Sequence, residues 1–179
     1  MNTGFQEKFN VSVLLAEDEA HARVFTESLL KQMVRTVYTV SSGQEGIEVF
    51  KKNPVDIVVT DIQMPRISGL DMLRQLKALK PDLLSLITTA YGEPPYFLQA
   101  IELGVDRFLL KPFTGDNLYE NISFLANVVL QEEKLRKEEE ARRLAEEQLK
   151  QSEEKFRLFF EMSPQAFNPE KHHHTLRPL

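Results

Sequence analysis

Three carboxylates, one hydroxyl and one ammonium in this sequence each stand just past a short apolar run. Glu17 and Asp18 follow "VSVLLA", Asp61 ends "VDIVVTD", Thr89 ends "LLSLITT" and Lys111 follows "RFLL". A run that is apolar throughout reads as a strand buried on both faces, and an unpaired charge within it would be costly, so each acid is expected at a strand's end. Carboxylates gathered at one rim repel one another unless they share a cation. Ligation by few carboxylates and water, all through oxygen, suits Mg²⁺. A lone carboxylate nucleophile, a metal, a hydroxyl and an ammonium are what in-line phosphoryl transfer needs, because it asks for charge neutralisation more than covalent help. Asp61 is then the residue that takes the phosphoryl group.

That chemistry requires elements that bring distant residues to one rim. Up to about residue 126, "VSVLLA", "RTVYTV", "DIVVT", "LLSLITT" and "RFLLK" alternate with segments of helical spacing such as Phe25, Leu29 and Met33, or Leu70, Leu73 and Leu76. Breakers fall between them: "SSG", "NP", "KP" and "GEPP". Strand and helix alternate five times, which predicts a parallel sheet with helices on both faces, since parallel neighbours need crossovers. In a doubly wound sheet of order 2-1-3-4-5, strands 1 and 3 are neighbours and ligands bind beyond their carboxyl ends. Glu17, Asp18 and Asp61 then share a rim that Thr89 and Lys111 reach from strands 4 and 5.

Composition sets the bounds. The chain has 179 residues, 42% of them hydrophobic, enough for one domain with a real core plus an appendage. A net charge of −5 gives no general electrostatic reason to bind nucleic acid, and no apolar run approaches the roughly 18 residues that span a bilayer. The absence of Cys removes disulfides, thiolate catalysis and zinc-thiolate sites. "MNTGFQEKFN" lacks the pattern of a signal peptide, so a soluble cytoplasmic protein is expected.

Beyond residue 130 the composition changes. "QEEKLRKEEEARRLAEEQLKQSEEK" has no Gly or Pro and repeatedly sets Glu four residues before Lys or Arg, as in Glu132 and Arg136 or Glu146 and Lys150. One continuous helix is expected, fused to the helix that starts near Asp116 and running to about Phe160. Val128, Leu135, Leu149 and Phe156 share one seven-residue repeat with Ala145 and Phe159 at the companion position, while Arg142, Glu138 and Ser152 interrupt it. That pattern fits a weak parallel coiled coil and hence a homodimer through residues 127–160; a solvated single helix is the alternative.

Residues 11 to 126 resemble the receiver domain of two-component response regulators. "VLLAEDE", "DIVVTDIQMPRISGLDML", "TTAY" and "DRFLLKPF" are similar to its four motif blocks in order and separation. The resemblance implies a flavodoxin-like (βα)₅ fold and transfer to Asp61 from a phosphohistidine of a sensor histidine kinase or phosphotransfer protein. It implies Mg²⁺ held by Asp18, Asp61 and the backbone carbonyl of Gln63, with Glu17 helping through water or direct contact. Thr89 and Lys111 would bind phosphoryl oxygens, the Lys111–Pro112 bond would be cis, and Phe108 would be the switch aromatic. Glu17 stands where Asp is more usual, and Phe108 lacks a tyrosine hydroxyl. Gln63 and Tyr91 occupy positions expected to slow hydrolysis of the phosphoryl group.

The organisation expected is a tail over 1–10, a receiver domain over 11–126, a charged signalling helix over 127–155, and a further segment over 156–167. "QSEEKFRLFFEMSPQAF", residues 151–167, resembles the entry of a PAS sensor domain. Residues 168–179, with "HHH", read as a disordered tail. On this reading the chain performs only its own phosphorylation and dephosphorylation and relays the change through a dimeric helix to an output domain. The alternatives are an idle receiver-like dimerisation scaffold and a Mg²⁺-dependent hydrolase, for which no second acid or lid is apparent.

Overall fold

The structure is a computed structural model that describes residues 8–90 and 94–162. Five strands alternate with five helices: β1 (Phe9–Ala16), α1 (Ala20–Met33), β2 (Val34–Val40), α2 (Gly43–Lys52), β3 (Ile57–Asp61), α3 (Gly69–Leu79), β4 (Leu84–Thr89), α4 (Pro94–Glu102), β5 (Arg107–Leu110) and α5 (Gly115–Met162). The strands form one sheet in the order β2-β1-β3-β4-β5, and every pair is parallel. This is the expected doubly wound architecture, with the long helix α5 following its last strand.

Alternation along the strands divides the core in two. Leu14, Ala16, Val58 and Ile87 pack with Ile47, Leu70, Leu73, Leu76 and Ala100 on the face covered by α2, α3 and α4. Val13, Leu15, Ile57, Val59 and Leu86 pack with Leu30, Met33, Leu118, Ile122 and Leu125 beneath α1 and α5. Both faces are covered, which explains why the strands read as unbroken apolar runs. Each fully buried aliphatic side chain stabilises the fold by roughly 2 kcal/mol, so the sheet is a rigid platform for what lies at its ends.

Helix starts follow local capping chemistry. Ser42 Oγ accepts from Glu45 N, while Glu45 Oε2 accepts from Ser41 N. Ser68 Oγ accepts from Asp71 N. At the amino edge of the sheet, two strands are tied to their neighbours by an aspartate just before each. Asp56 Oδ2 accepts from Ser12 N at 2.8 Å and Ser12 Oγ at 2.7 Å, and Asp106 Oδ2 accepts from Ser85 N at 2.8 Å and Ser85 Oγ at 2.9 Å.

The chain divides into two compact units, residues 1–133 and 134–179. The first contains the sheet, and α5 packs onto it through Leu118, Ile122, Leu125 and Ala126, with Val129 and Leu130 half-buried beyond them. In the second, every described residue from Lys134 to Met162 is exposed. With 48 residues, α5 is about 72 Å long at 1.5 Å per residue. Glu138 and Glu146 each pair with the base four residues before them, Lys134 and Arg142, the less favourable orientation for such pairs. Among the described residues, no helix is long and apolar enough to cross a membrane.

Candidate functional site

The parallel register aligns the carboxyl ends of the central strands. Ala16 pairs with Thr60, Asp61 with Thr88 and Thr89 with Leu110. Glu17 N donates to Val40 O at 3.2 Å, and Lys111 N donates to Thr89 O at 2.8 Å. Five residues separated by up to 94 positions in sequence thus arrive at one edge. The Lys111–Pro112 peptide is cis.

Lys111 Nζ donates to Glu17 Oε2 at 2.7 Å and, in a shorter contact, to Asp61 Oδ2. One carboxylate oxygen from each of Glu17, Asp18 and Asp61 lies within 4.8 Å of the other two. Glu17 is buried, Asp61 half-buried and Asp18 exposed, so the cluster opens outward on the Asp18 side. Glu17 Oε1 is buried without a hydrogen-bond partner. An unsatisfied buried carboxylate oxygen is costly, and a hard cation shared by three oxygen donors would satisfy it. The residues present therefore fit Mg²⁺.

The charges show the crowding. Burial pushes the Glu17 carboxyl above its ordinary value; the hydrogen bond and charge of Lys111 hold it back in part, and Asp61 adds to the rise. Burial pulls the Lys111 ammonium down, but its hydrogen bonds to Asp61 and Glu17 outweigh that and leave it above its ordinary value. Lys111 is thus a firm cation held between two acids.

Thr89 is buried, and its Oγ1 donates to Ala90 O at 3.1 Å. Phe108 is half-buried on β5, stacked on Phe97 of α4 at 4.5 Å between ring centroids and 18° between planes. The preceding residue, Arg107, lies 3.9 Å over the ring of Phe124 on α5. Consecutive β5 residues thus touch the two flanking helices. Gln63 lies in the loop after Asp61, exposed, with its N–H donating to Asp61 Oδ1 at 3.2 Å. Tyr91, residues 163–167 of the segment resembling a PAS entry, and residues 168–179 lie outside the described residues.

Some features of the site were not evident in the sequence. The cap of α1 is Glu19, whose carboxylate accepts from His21 N and Ala22 N, so Glu17 and Asp18 are spared that duty. Gly69 is the first residue of α3, and a Cβ there would collide with the Asp61 carbonyl and Thr60 Oγ1. The turn centres on Arg66 at φ 70°, with Ile67 N donating to Pro65 O at 2.9 Å. This is a γ-turn of the rare positive-φ form.

Known proteins place this architecture. Residues 13–123 match the response regulator receiver domain family. The chain is 34% identical over 110 residues to the C4-dicarboxylate transport transcriptional regulatory protein DctD of Rhizobium meliloti, covering 62% of this chain and 24% of that protein. It is 28% identical over 116 residues to the chemotaxis protein CheY of Bacillus subtilis, covering 64% of this chain and 97% of that protein. Among solved structures, a response regulator receiver domain protein from Clostridium thermocellum superposes with a TM-score of 0.61 at 31% identity, covering 70% of this chain and 98% of that one. The N-terminal domain of an uncharacterized protein from Wolinella succinogenes superposes with a TM-score of 0.65 at 32% identity, covering 68% and 98%. The match spans about a quarter of the length of the first curated relatives.

Proposed function

The chain belongs to the response regulator receiver domain family, and on that footing we propose that it takes a phosphoryl group onto Asp61 from a phosphohistidine of a sensor histidine kinase or phosphotransfer protein. The observation that carries the reading is the convergence of Glu17, Asp18 and Asp61 around the Lys111 ammonium, with Glu17 Oε1 left unpartnered. An Asp61 carboxylate oxygen attacks phosphorus, the P–N bond to imidazole breaks, and the leaving imidazole takes a proton from solvent. The product is an acyl phosphate. Lys111 transfers its hydrogen bond from Asp61 to a phosphoryl oxygen, and Thr89 Oγ1 turns from Ala90 O to another. Asp18, Asp61 and the Gln63 carbonyl, with Glu17 directly or through water, would hold Mg²⁺, which supplies charge neutralisation for the incoming group. Hydrolysis of the aspartyl phosphate by the same site, with no exogenous substrate, completes the cycle.

Relay follows from what Thr89 and Phe108 touch. Movement of Thr89 towards the phosphoryl group opens space into which Phe108 turns, leaving its stack on Phe97, and α4, β5 and α5 shift between two arrangements. Because α5 continues to Met162, we infer a parallel homodimer through residues 127–160 that passes the change to an output domain, with residues 156–167 as the entry of a PAS domain. The exposed Leu135, Leu149, Phe156 and Phe159 support that reading: an isolated helix of this length has little else to hold it.

The test is phosphate incorporation from a small phosphodonor, with and without Mg²⁺, in the wild-type chain and Asp61→Asn, read by phosphate-affinity gel and intact mass. Stoichiometric, Mg²⁺-dependent labelling that vanishes in the variant is expected. No labelling in either protein would leave a dimerisation scaffold as the reading. Sedimentation of Leu149→Asp against wild type tests the dimer, which is expected to dissociate by at least about tenfold; two monomeric proteins would refute it.

A further inference from the structure

Two acids of the cluster sit on the short turn between β1 and α1, and that turn is held by a residue the phosphoryl chemistry does not use. Arg23, on the first turn of α1, points its guanidinium back along the chain. Its Nη1 donates to Glu17 O at 2.8 Å and to Asp18 O at 2.9 Å, while its own N–H donates to Glu19 O at 2.9 Å within the helix. One planar, always-charged donor thus joins the backbone carbonyls of both acids. Glu17 N on Val40 O and the Glu19 side chain on the start of α1 act at either end of the turn, and Lys111 Nζ holds the Glu17 carboxylate. None of these holds the Asp18 carbonyl.

We propose that Arg23 is a positioning residue for the divalent cation, tethering the Glu17 and Asp18 backbone so that their carboxylates stay together beside Asp61. The inference rests on the reading of the cluster as a Mg²⁺ site. Like charges crowded at this turn favour swinging apart, and Asp18 is exposed and free to do so. Two charge-assisted hydrogen bonds to the carbonyls oppose that movement. Arg23 contacts the backbone of the acids and none of their carboxylates, so its charge and its geometry make opposite predictions. As a positive charge near an acidic pocket it repels a cation, and its removal on electrostatic grounds alone would tighten Mg²⁺ binding. As a tether, its removal loosens the pair and weakens binding.

Mg²⁺ titration by calorimetry on the full chain decides the sign. Arg23→Ala is expected to weaken Mg²⁺ at least tenfold, the scale on which residues supporting metal ligands act. Arg23→Lys, which keeps the charge and donors but loses the planar fork, is expected to fall between. Arg35→Ala, which removes a cation at the amino edge where Arg35 donates to Asn10, is expected to bind as wild type. Urea midpoints measured without Mg²⁺ separate loss of fold from loss of positioning, and Arg23→Lys keeps the question open to measurement if Arg23→Ala unfolds. Unchanged or tighter binding in a folded Arg23→Ala, or in Arg23→Lys, would overturn the proposal while leaving the cation site standing. No binding by the wild-type chain would overturn both.

Discussion

The two edges of the sheet use the same residue types to opposite ends. At the amino edge, Asp56 and Asp106 each accept both the N–H and the hydroxyl of a serine on a neighbouring strand, and Ser85 is wholly buried beneath its partner. At the carboxyl edge, Glu17, Asp18 and Asp61 crowd about one ammonium, and a buried oxygen of Glu17 has no partner. An acid at a strand's end is therefore not a functional signal by itself. What separates the two edges is satisfaction: the acids of the amino edge are matched within the fold, and those of the carboxyl edge are left with capacity for something outside it. Substitution should stabilise where satisfaction is missing and destabilise where it is complete.

The largest effect expected from this contrast is at the amino edge. Asp106→Ala strands the buried N–H and hydroxyl of Ser85 and removes the carboxylate 3.6 Å from Lys77 Nζ, which keeps its hydrogen bond to Gly104 O. Urea denaturation should show a loss of about 3 kcal/mol, the penalty of two buried donors without acceptors. Mg²⁺ affinity should stay within about twofold of wild type, since the two edges share no contacts and distant sites act independently. A marked change in Mg²⁺ affinity would mean that the edges are coupled and the comparison drawn too sharply.

How much of this was legible in the sequence follows from the range of each interaction. The apolar runs, their alternation with helical spacing, and four blocks in register were enough for strand order, for Asp61 at its strand's end and for its convergence with Glu17, Asp18, Thr89 and Lys111. The serine clamps were not foreseen, because Ser12 and Asp56 are 44 positions apart and Ser85 and Asp106 are 21 apart; nothing local binds them. A signal did exist: both aspartates stand one residue before a strand, in "VDIVVT" and "VDRFLL". Glu19 was hidden by its more conspicuous acidic neighbours. The need for Gly69 arises from the approach of the Asp61 carbonyl to the start of α3, a tertiary contact that turn chemistry does not report.

The next effect is smaller and opposite in sign. Glu17→Gln removes an ionised group that burial disfavours and keeps an amide oxygen for Lys111, so the Mg²⁺-free protein should gain about 1 kcal/mol near neutral pH while its Mg²⁺ affinity falls. The pH dependence checks the cause. Because the folded carboxyl sits above its ordinary value of 4.5, the folded state holds that proton more tightly than the unfolded chain, and stability falls as pH rises through the interval between the two values. The variant lacks that fall. Lys111, above its ordinary 10.5, contributes stability that is complete below that value and lost as pH rises through the raised one. A wild-type minus variant difference curve that is flat across the acid interval would sink this account.

The smallest effect tests whether the carboxyl edge also stores backbone strain. Arg66 holds φ 70° at the centre of a γ-turn directly after the Asp61 loop begins, a conformation that costs a non-glycine residue roughly 1–2 kcal/mol. Arg66→Gly relieves that strain but restores about 0.5–1 kcal/mol of unfolded-chain freedom, so the net gain should be about 0.5 kcal/mol. The magnitude is small because the two terms nearly cancel, and its sign is the informative part. An amino-edge residue already in its preferred conformation has no strain to release, and glycine there would bring only the entropic loss. Stabilisation by Arg66→Gly, measured against a control glycine at exposed Asp82 before β4, would show that the loop beside Asp61 is held in a poor local conformation by its surroundings. Equal losses at both positions would confine the difference between the edges to their side-chain charges.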